Sequence, residues 1–307
     1  MVMEKVGMDR FKMKEWARAA VGRHYLKSML VSFVFYVAIF TALYFVTYGA
    51  TFSFGYSSIF IVGILESFFK EGSVTTDSVI ATSLGAVAFF FVGIVLLAVG
   101  YVGKALLVNP IHVGCKKFMC DSLNSEEAKL GDMGCGFRGN YKNITKVMFI
   151  RDIYITLWSI FWLFIYFIVF IPVLMGGVYV TDYISGIYAE VIAVMWIIFF
   201  TLLVTAICLL FYVPIYIKTL HYMFIPYILA ENPTMGKKEV FALSKQMVTG
   251  RKWELFKLHM SFGWWMLLAS CTCYILHFLY VGPYFDYAAA ASYKVLKAQT
   301  ERNNTVC

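Results

Sequence analysis

TLHYMFIPYILAENPTMGKKEVFALSKQMVTGRKWELFKLHMSFGWW, Thr219 to Trp265, is the stretch whose reading decides the fold. An apolar helix runs out at Pro226, because a proline ring and its missing N–H end or bend a helix. Glu231-Asn232-Pro233 reads as a turn, and a short charged helix is expected from about Met235 to Val248. Thr234 is placed to cap it, Glu239 falls in its early turns, and Gly250 stops it. Val240, Leu243, Ser244 and Met247 make its more apolar face, which is expected to lie against the inner ends of membrane crossings. Lys252-Trp253-Glu254 then leads back into apolar sequence.

Working outward, the composition agrees with a membrane setting. Charged residues make up 14% and hydrophobic residues 61%, with a mean hydropathy of +0.74. A soluble domain carries about 25% charged residues to cover its surface, whereas lipid solvates an apolar exterior. The net charge of +8 is read by location as the basic excess of cytoplasmic loops, not as a nucleic-acid surface. Seven cysteines, three of them in a loop placed inside, do not form the spaced set of a secreted disulfide framework.

The fold class is therefore all-α: a polytopic bundle of about six transmembrane helices, with an amphipathic interfacial helix before it and a short cytoplasmic helix within it. Residues 1–27 carry seven Lys or Arg, with Phe11, Trp16, Ala20 and Tyr25 at near-helical spacing and Asp9 as a cap. That is a basic helix on the membrane surface. Residues 28–298 form one transmembrane domain, with crossings at about 28–48, 78–107, 153–176, 191–216, 252–271 and 278–296, and 299–307 is a polar tail. At a ~1.5 Å rise, 21 uncharged residues from Ser28 to Tyr48 cover the ~30 Å hydrocarbon core. SSIFIVGILESFFK (Ser57–Lys70) reads as a short outer amphipathic helix. Gly85, Gly93, Gly100 and Gly103 permit close packing of the second crossing. Asn109-Pro110 bends or ends it, and His112 to Lys146 reads as a polar inner segment. The loop Gly177–Glu190 has no Lys or Arg and is expected outside. A tight turn is expected near Thr272–His277, and Gly282-Pro283 is expected to kink the last helix.

Charge fixes the orientation. Six crossings place all but one of the 26 Lys and Arg residues on the side of the N-terminus, the exception being Lys70. Five crossings would move Lys294, Lys297 and Arg302 outside. The positive-inside bias favours six, with both termini cytoplasmic in a plasma membrane.

Chemistry is harder to find. HExxH, GxSxG and Walker patterns do not occur, and no two carboxylates share a crossing. No catalytic, cofactor-binding or metal residue is assigned. His112, Cys115, Cys120 and Cys135 lack the paired spacing usual for zinc and read as ordinary thiols and a histidine. The sequons at Asn143 and Asn303 fall on the expected inside, so glycosylation is not expected. Asp286, three residues after Pro283 in the outer half of the sixth helix, is the most notable residue. An intramembrane carboxylate either pairs with a Lys or Arg of another helix or handles a ligand or proton.

PYILAENP (Pro226–Pro233), ALSKQMVTGRKWELF (Ala242–Phe256), LHMSFGWWMLL (Leu258–Leu268) and VGPY (Val281–Tyr284) together resemble a bacterial integral membrane family, the domain-of-unknown-function family nine-seven-five. The motif positions are Glu231, Asn232 and Pro233 in the turn, then Ser244, Met247, Gly250, Leu255 and Phe256. Ser261, Phe262 and Trp265 follow, then Pro283 and Tyr284. FRGNY (Phe137–Tyr141) and LWS (Leu157–Ser159) also fit. Where this family tends to have a glycine-rich turn before its last helix, this chain has CTCYILHF (Cys271–Phe278). The resemblance implies a multi-helix bacterial inner-membrane protein and assigns no activity, ligand or catalytic residue. The expected role is non-enzymatic: binding lipid, peptide or a protein partner at the cytoplasmic side, with the bilayer itself as a partner and no nucleic acid. The alternative is a small transporter using kinked helices and Asp286.

Overall fold

A computed structural model describes residues 9–60, 76–123, 125, 127, 129–138, 140–183 and 189–306. Among these, every regular element is helical. Helix α1 (Arg10–Arg23) is capped by Asp9, whose side chain accepts from the Phe11 N–H at 3.0 Å. It buries Met13, Ala17, Ala20 and Val21 and packs along the last helix. The aromatic face expected from sequence is not its packing face, since Phe11 and Tyr25 are exposed and Trp16 is half-buried. The small side chains of Ala17 and Ala20 allow close approach, which large rings would prevent.

Helix α2 (Tyr25–Ala50) passes through a π-helical segment, Thr51–Tyr56, and stays helical to Phe60. It is longer than the expected first crossing, and residues 61–75, with most of the expected outer amphipathic helix, lie outside the described residues. Helix α3 (Thr76–Gly103) crosses it closely. A side chain at Gly93 would collide with Ser53 and come within 2.6 Å of the Gly49 carbonyl, and one at Gly100 would meet Val46 at 2.7 Å. Gly103, in contrast, faces open space.

The next segment corrects the sequence reading. Pro110 does not end the helix: a π-helical segment, Lys104–Val108, leads directly into α4 (Asn109–Ser122). The wider π turn accommodates the ring, and the Leu106 carbonyl, four residues before Pro110 and without an N–H from it, accepts instead from the Tyr141 hydroxyl at 2.9 Å. The first part of the supposed polar inner loop is thus a buried helix, with Val113, Gly114, Cys115, Lys116 and Phe118 all inside. A 3-10 segment, Leu130–Gly136, packs on it, with Gly114 against the Met133 backbone and Gly136 against the Pro110 carbonyl. The glycines of this loop therefore serve close packing.

Helices α5 (Tyr141–Tyr183) and α6 (Ala189–Tyr222) are both longer than the crossings expected there, and α6 runs through Pro214. Part of the loop expected between them, residues 184–188, lies outside the described residues. The opening stretch follows as α7 (Ile225–Glu231), α8 (Lys237–Val248), α9 (Lys252–Met260) and α10 (Gly263–Cys271). Thr234 does not cap α8, which starts two residues later than expected behind Gly236. Asn143 holds this loop open by donating to the carbonyls of Pro233 (2.8 Å) and Met235 (2.9 Å). The fifth apolar segment is broken at Ser261-Phe262 between α9 and α10. Three helices among the described residues are long and apolar enough to cross a membrane: Tyr25–Phe60, Ile80–Ser122 and Val194–Glu231.

After α10 the chain reverses in a Schellman turn. The Tyr274 N–H donates to Ala269 (2.8 Å) and the Cys273 N–H to Ser270 (3.3 Å), the paired bonds that close a helix C-terminus. Cys273 (φ 49°) and Tyr274 (φ 63°) are left-handed, where glycine is the unstrained choice. A π-helical segment, His277–Val281, then enters α11 (Gly282–Val306), which extends past the expected limit of 296. Helix α11 is the hub. Tyr284, Tyr287, Ala288 to Ala291 and Tyr293 are all buried, and α1, α2, α4 and α8 pack around it.

Helices α2 and α11 run antiparallel, which sets relative heights. The Tyr287 hydroxyl lies 2.9 Å from Ser28 Oγ, His277 packs on Tyr36 (4.6 Å between rings), and Phe278 lies between Phe33 and Phe40 (6.0 Å from each). The turn at Cys273-Tyr274 therefore stands beside the middle of α2, about 20 Å beyond Ser28.

Candidate functional site

Helix α4 carries Lys116 inward and the first turns of α11 carry Asp286 toward it. Lys116 Nζ donates to Asp286 Oδ1 at 2.7 Å, with side chains only 10% and 5% exposed. A Lys partner from another helix is what sequence reasoning offered as the structural account of Asp286. Its depth differs from the expectation: Asp286 adjoins Tyr287 and Ser28 at the α1 end of the bundle, not the far end. The Lys116 ammonium also lies 5.5 Å from the Tyr227 ring and 5.9 Å from the Phe35 ring. Lys116 therefore holds a paired, ring-lined position that its place in a polar segment did not announce.

A second charged group lies nearby. Asp152 accepts from Arg151 Nη2 (2.7 Å) and Nε (3.1 Å) and from Asn109 Nδ2 (3.0 Å), with Lys104 Nζ at 3.5 Å. Arg151 and His112 join the two groups. Both line a cavity of about 270 Å³ with Lys116, Tyr216, Tyr227, His259, Phe285 and Ala289. They also line an adjoining cavity of about 170 Å³ with Lys104, Asn109 and Asp152. Tyr216 lies 2.5 Å from His259 Nδ1, while the Tyr227 hydroxyl and His259 Nε2 are buried without a hydrogen-bond partner. Unpartnered buried polar atoms cost free energy unless something meets them. No group of three His, Cys, Asp or Glu able to hold a metal occurs among the described residues. His112 stacks on Phe35 (4.7 Å) and Cys115 reaches the Val31 carbonyl.

The other residues singled out from sequence are distributed along α11 and its neighbours. Pro283 and Tyr284 are buried with Asp286 in the same helix start, and Tyr284 meets Phe262 at 4.9 Å. Glu231 ends α7 and accepts from Tyr293 (2.7 Å) and Lys297 (2.5 Å), so the turn is tied to the far part of α11. Burial alone would lower the Lys297 ammonium, but the bonded Glu231 carboxylate holds its pKa above the ordinary lysine value. Asn232 closes α7, its N–H donating to Ile228 (2.8 Å), and Pro233 presents the carbonyl that Asn143 holds. Gly250, at φ +82°, ends α8 as expected. Trp265 rests on Tyr280 (5.9 Å) and does not reach the cavity lining.

Sequence reasoning missed Lys116, Arg151, Tyr227 and His259 as a set. Their one available signal was a buried cation in search of a carboxylate, once Asp286 is placed inside. The family model described as "Protein of unknown function (DUF975)" matches residues 8–300, and the chain belongs to that family. No curated protein and no solved structure matches the chain.

Proposed function

We propose that this is a multi-pass plasma-membrane protein, with both termini in the cytoplasm, that acts without catalysis by binding a membrane lipid in the cavity beside Lys116. The apolar helices support the membrane setting, and the basic residues crowded at the α1 end support its orientation. The exposed Phe11, with Arg10 4.8 Å from its ring, suits a helix α1 that also touches the interface. One observation carries the choice of lipid over peptide or protein. The cavity joins buried charge to rings and aliphatic side chains, among them Tyr222, Phe285, Leu220 and Met223, as an amphiphile requires. The test is phospholipid retained per chain through purification, measured by mass spectrometry, in the wild type and in Ala289→Leu, which fills part of the cavity. Retention in the wild type and loss in the variant is expected. Equal retention would remove the cavity from the function.

A second reading, transport, draws on the adjoining cavities that share His112 and Arg151. It requires flux in proteoliposomes that Asp286→Asn abolishes, and unchanged flux would take Asp286 out of any such mechanism.

A further inference from the structure

Three cations, Lys104, Lys116 and Arg151, meet two carboxylates, Asp152 and Asp286, around the two adjoining cavities. One positive charge is left over in a place largely removed from water, which is costly without a counter-ion. Two neutral groups also stand unmatched on the larger cavity. Tyr227 is 1% exposed, and its hydroxyl is buried without a hydrogen-bond partner. The Tyr216 hydroxyl and His259 Nδ1 share a hydrogen bond; in the tautomer where Tyr216 donates, Nε2 carries the ring hydrogen and is a free donor, and in the other it is a free acceptor. The excess positive charge is shared across the two adjoining cavities, since Lys104 lines only the smaller one, and together with the two idle polar groups on the larger cavity it is the complement of a monoanionic oxygen group.

We propose that the cavity binds the anionic head of a membrane amphiphile, a phosphate or carboxylate. Arg151 and Lys116 supply the charge, Tyr227 and His259 supply hydrogen bonds, and the tail leaves past Phe285 and Tyr216. This rests on the lipid-binding reading above and adds the charge of the head group. The experiment follows the melting midpoint of the detergent-purified full chain during titration with phosphatidylglycerol, with phosphatidylcholine of the same acyl chains, and with inorganic phosphate alone. Phosphatidylglycerol is expected to act at concentrations on the order of tenfold lower than phosphatidylcholine, as one charged hydrogen bond would give. Thr219→Glu, which puts a negative charge at the exposed edge of the cavity, is expected to erase that preference without disturbing the core. Arg151→Gln is expected to do the same if it folds. An equal response to inorganic phosphate would keep the anion site and assign it to a free ion. Equal action of the two lipids in the wild type, or a preference that survives Thr219→Glu, would overturn the proposal. If both lipids act equally and Ala289→Leu abolishes both effects, lipid binding stands and only the charge selection fails. Silence of both lipids would count against the lipid reading itself.

A separate observation concerns α10 and the start of α11. Their turn stands level with the Lys104–Asp152 group, because Lys104 and Ile39 line the same small cavity and Phe278 packs on Phe40. Beyond that level α2 continues to Phe60, roughly 28 Å farther. Yet the hairpin's outer surface is apolar, with Trp264, Leu267, Ile275 and Leu279 exposed. The geometry points to a re-entrant hairpin that enters the lipid from the cytoplasmic side and turns back without crossing, leaving α2, α3, α5 and α6 as the crossings. Lipid-facing irregular backbone is tolerable there because the Schellman bonds satisfy the turn. Native Cys271 and Cys273 are free and exposed at its tip, so the chain carries its own reporters. Intact cells are treated with a membrane-impermeant maleimide, and labelled peptides are mapped by mass spectrometry, with Ser73→Cys as the external control. The tip thiols are expected to stay unlabelled while the control reacts, and to react once the protein is in detergent. Labelling of Cys271 or Cys273 on intact cells at the level of the control would restore two full crossings and overturn the proposal.

Discussion

Replacing Asp286 with Asn removes a charge and leaves the shape nearly unchanged, so it isolates the electrostatic part of the core. Lys116, within 2.7 Å of the carboxylate and in a residue only 8% exposed, would remain an ammonium without its counter-ion. Breaking one side of a buried pair costs about 3–5 kcal/mol, mostly the penalty of the stranded charge. Removing both partners together with apolar residues of similar volume is close to neutral. Asp286→Asn should therefore lower stability by about 3–5 kcal/mol, while Lys116→Met with Asp286→Leu should lose far less. For a chain of this size 1 kcal/mol moves the melting midpoint by about 2 °C, giving a loss of roughly 6–10 °C for the single variant. The assay is thermal unfolding of the detergent-purified protein, followed by tryptophan fluorescence. A single variant no less stable than the double would refute the reasoning, since Lys116 would then have another counter-charge or stand in water.

The close crossing of α2 and α3 predicts opposite outcomes for two similar substitutions. Gly93→Ala must push backbone aside at Ser53 and Gly49 and should cost about 1–3 kcal/mol, whereas Gly103→Ala meets open space and should gain about 0.5–1 kcal/mol in the same melting assay. Tyr274→Gly relieves a left-handed backbone and should raise stability, by up to about 1 kcal/mol after loss of the ring's packing; a loss greater than that would mean the tyrosine side chain is needed at the tip. Lys297 binds its proton more tightly in the folded chain because of Glu231, so its contribution is present at neutral pH and disappears as pH rises above the ordinary lysine value near 10.5. Lys297→Met should thus be less stable than wild type at pH 8, and the difference should shrink as pH rises beyond 10.5; a gap that stays constant with pH would show that packing of the alkyl stem, not the ion pair, is responsible.

What could be read in the sequence was what local periodicity and backbone chemistry determine. The face of α8 follows from the spacing of Val240, Ser244 and Met247, all of which are buried. Its end follows from Gly250, and the reversal near Thr272–His277 from an apolar stretch, His259 to Ala291, too long for one helix. What could not be read was set by partners far along the chain. Lys116 looks like a loop cation because its counter-ion is 170 residues away. Asn143 looks like a sequon, although its amide holds a turn 90 residues later. The packing face of α1 was not legible either, because the alanines of α1 and the run Ala288–Ala291, and not its rings, are what permit two helix axes to come close. The depth of the last hairpin is the clearest case. Hydropathy reports that a segment prefers lipid, and the charge rule reports on which side its two ends lie. Both ends of a full pair of crossings and both ends of a re-entrant hairpin lie on the same side, so neither rule separates them. Only the register of Phe278 between Phe33 and Phe40, a contact between residues more than two hundred positions apart, measures how far the hairpin reaches.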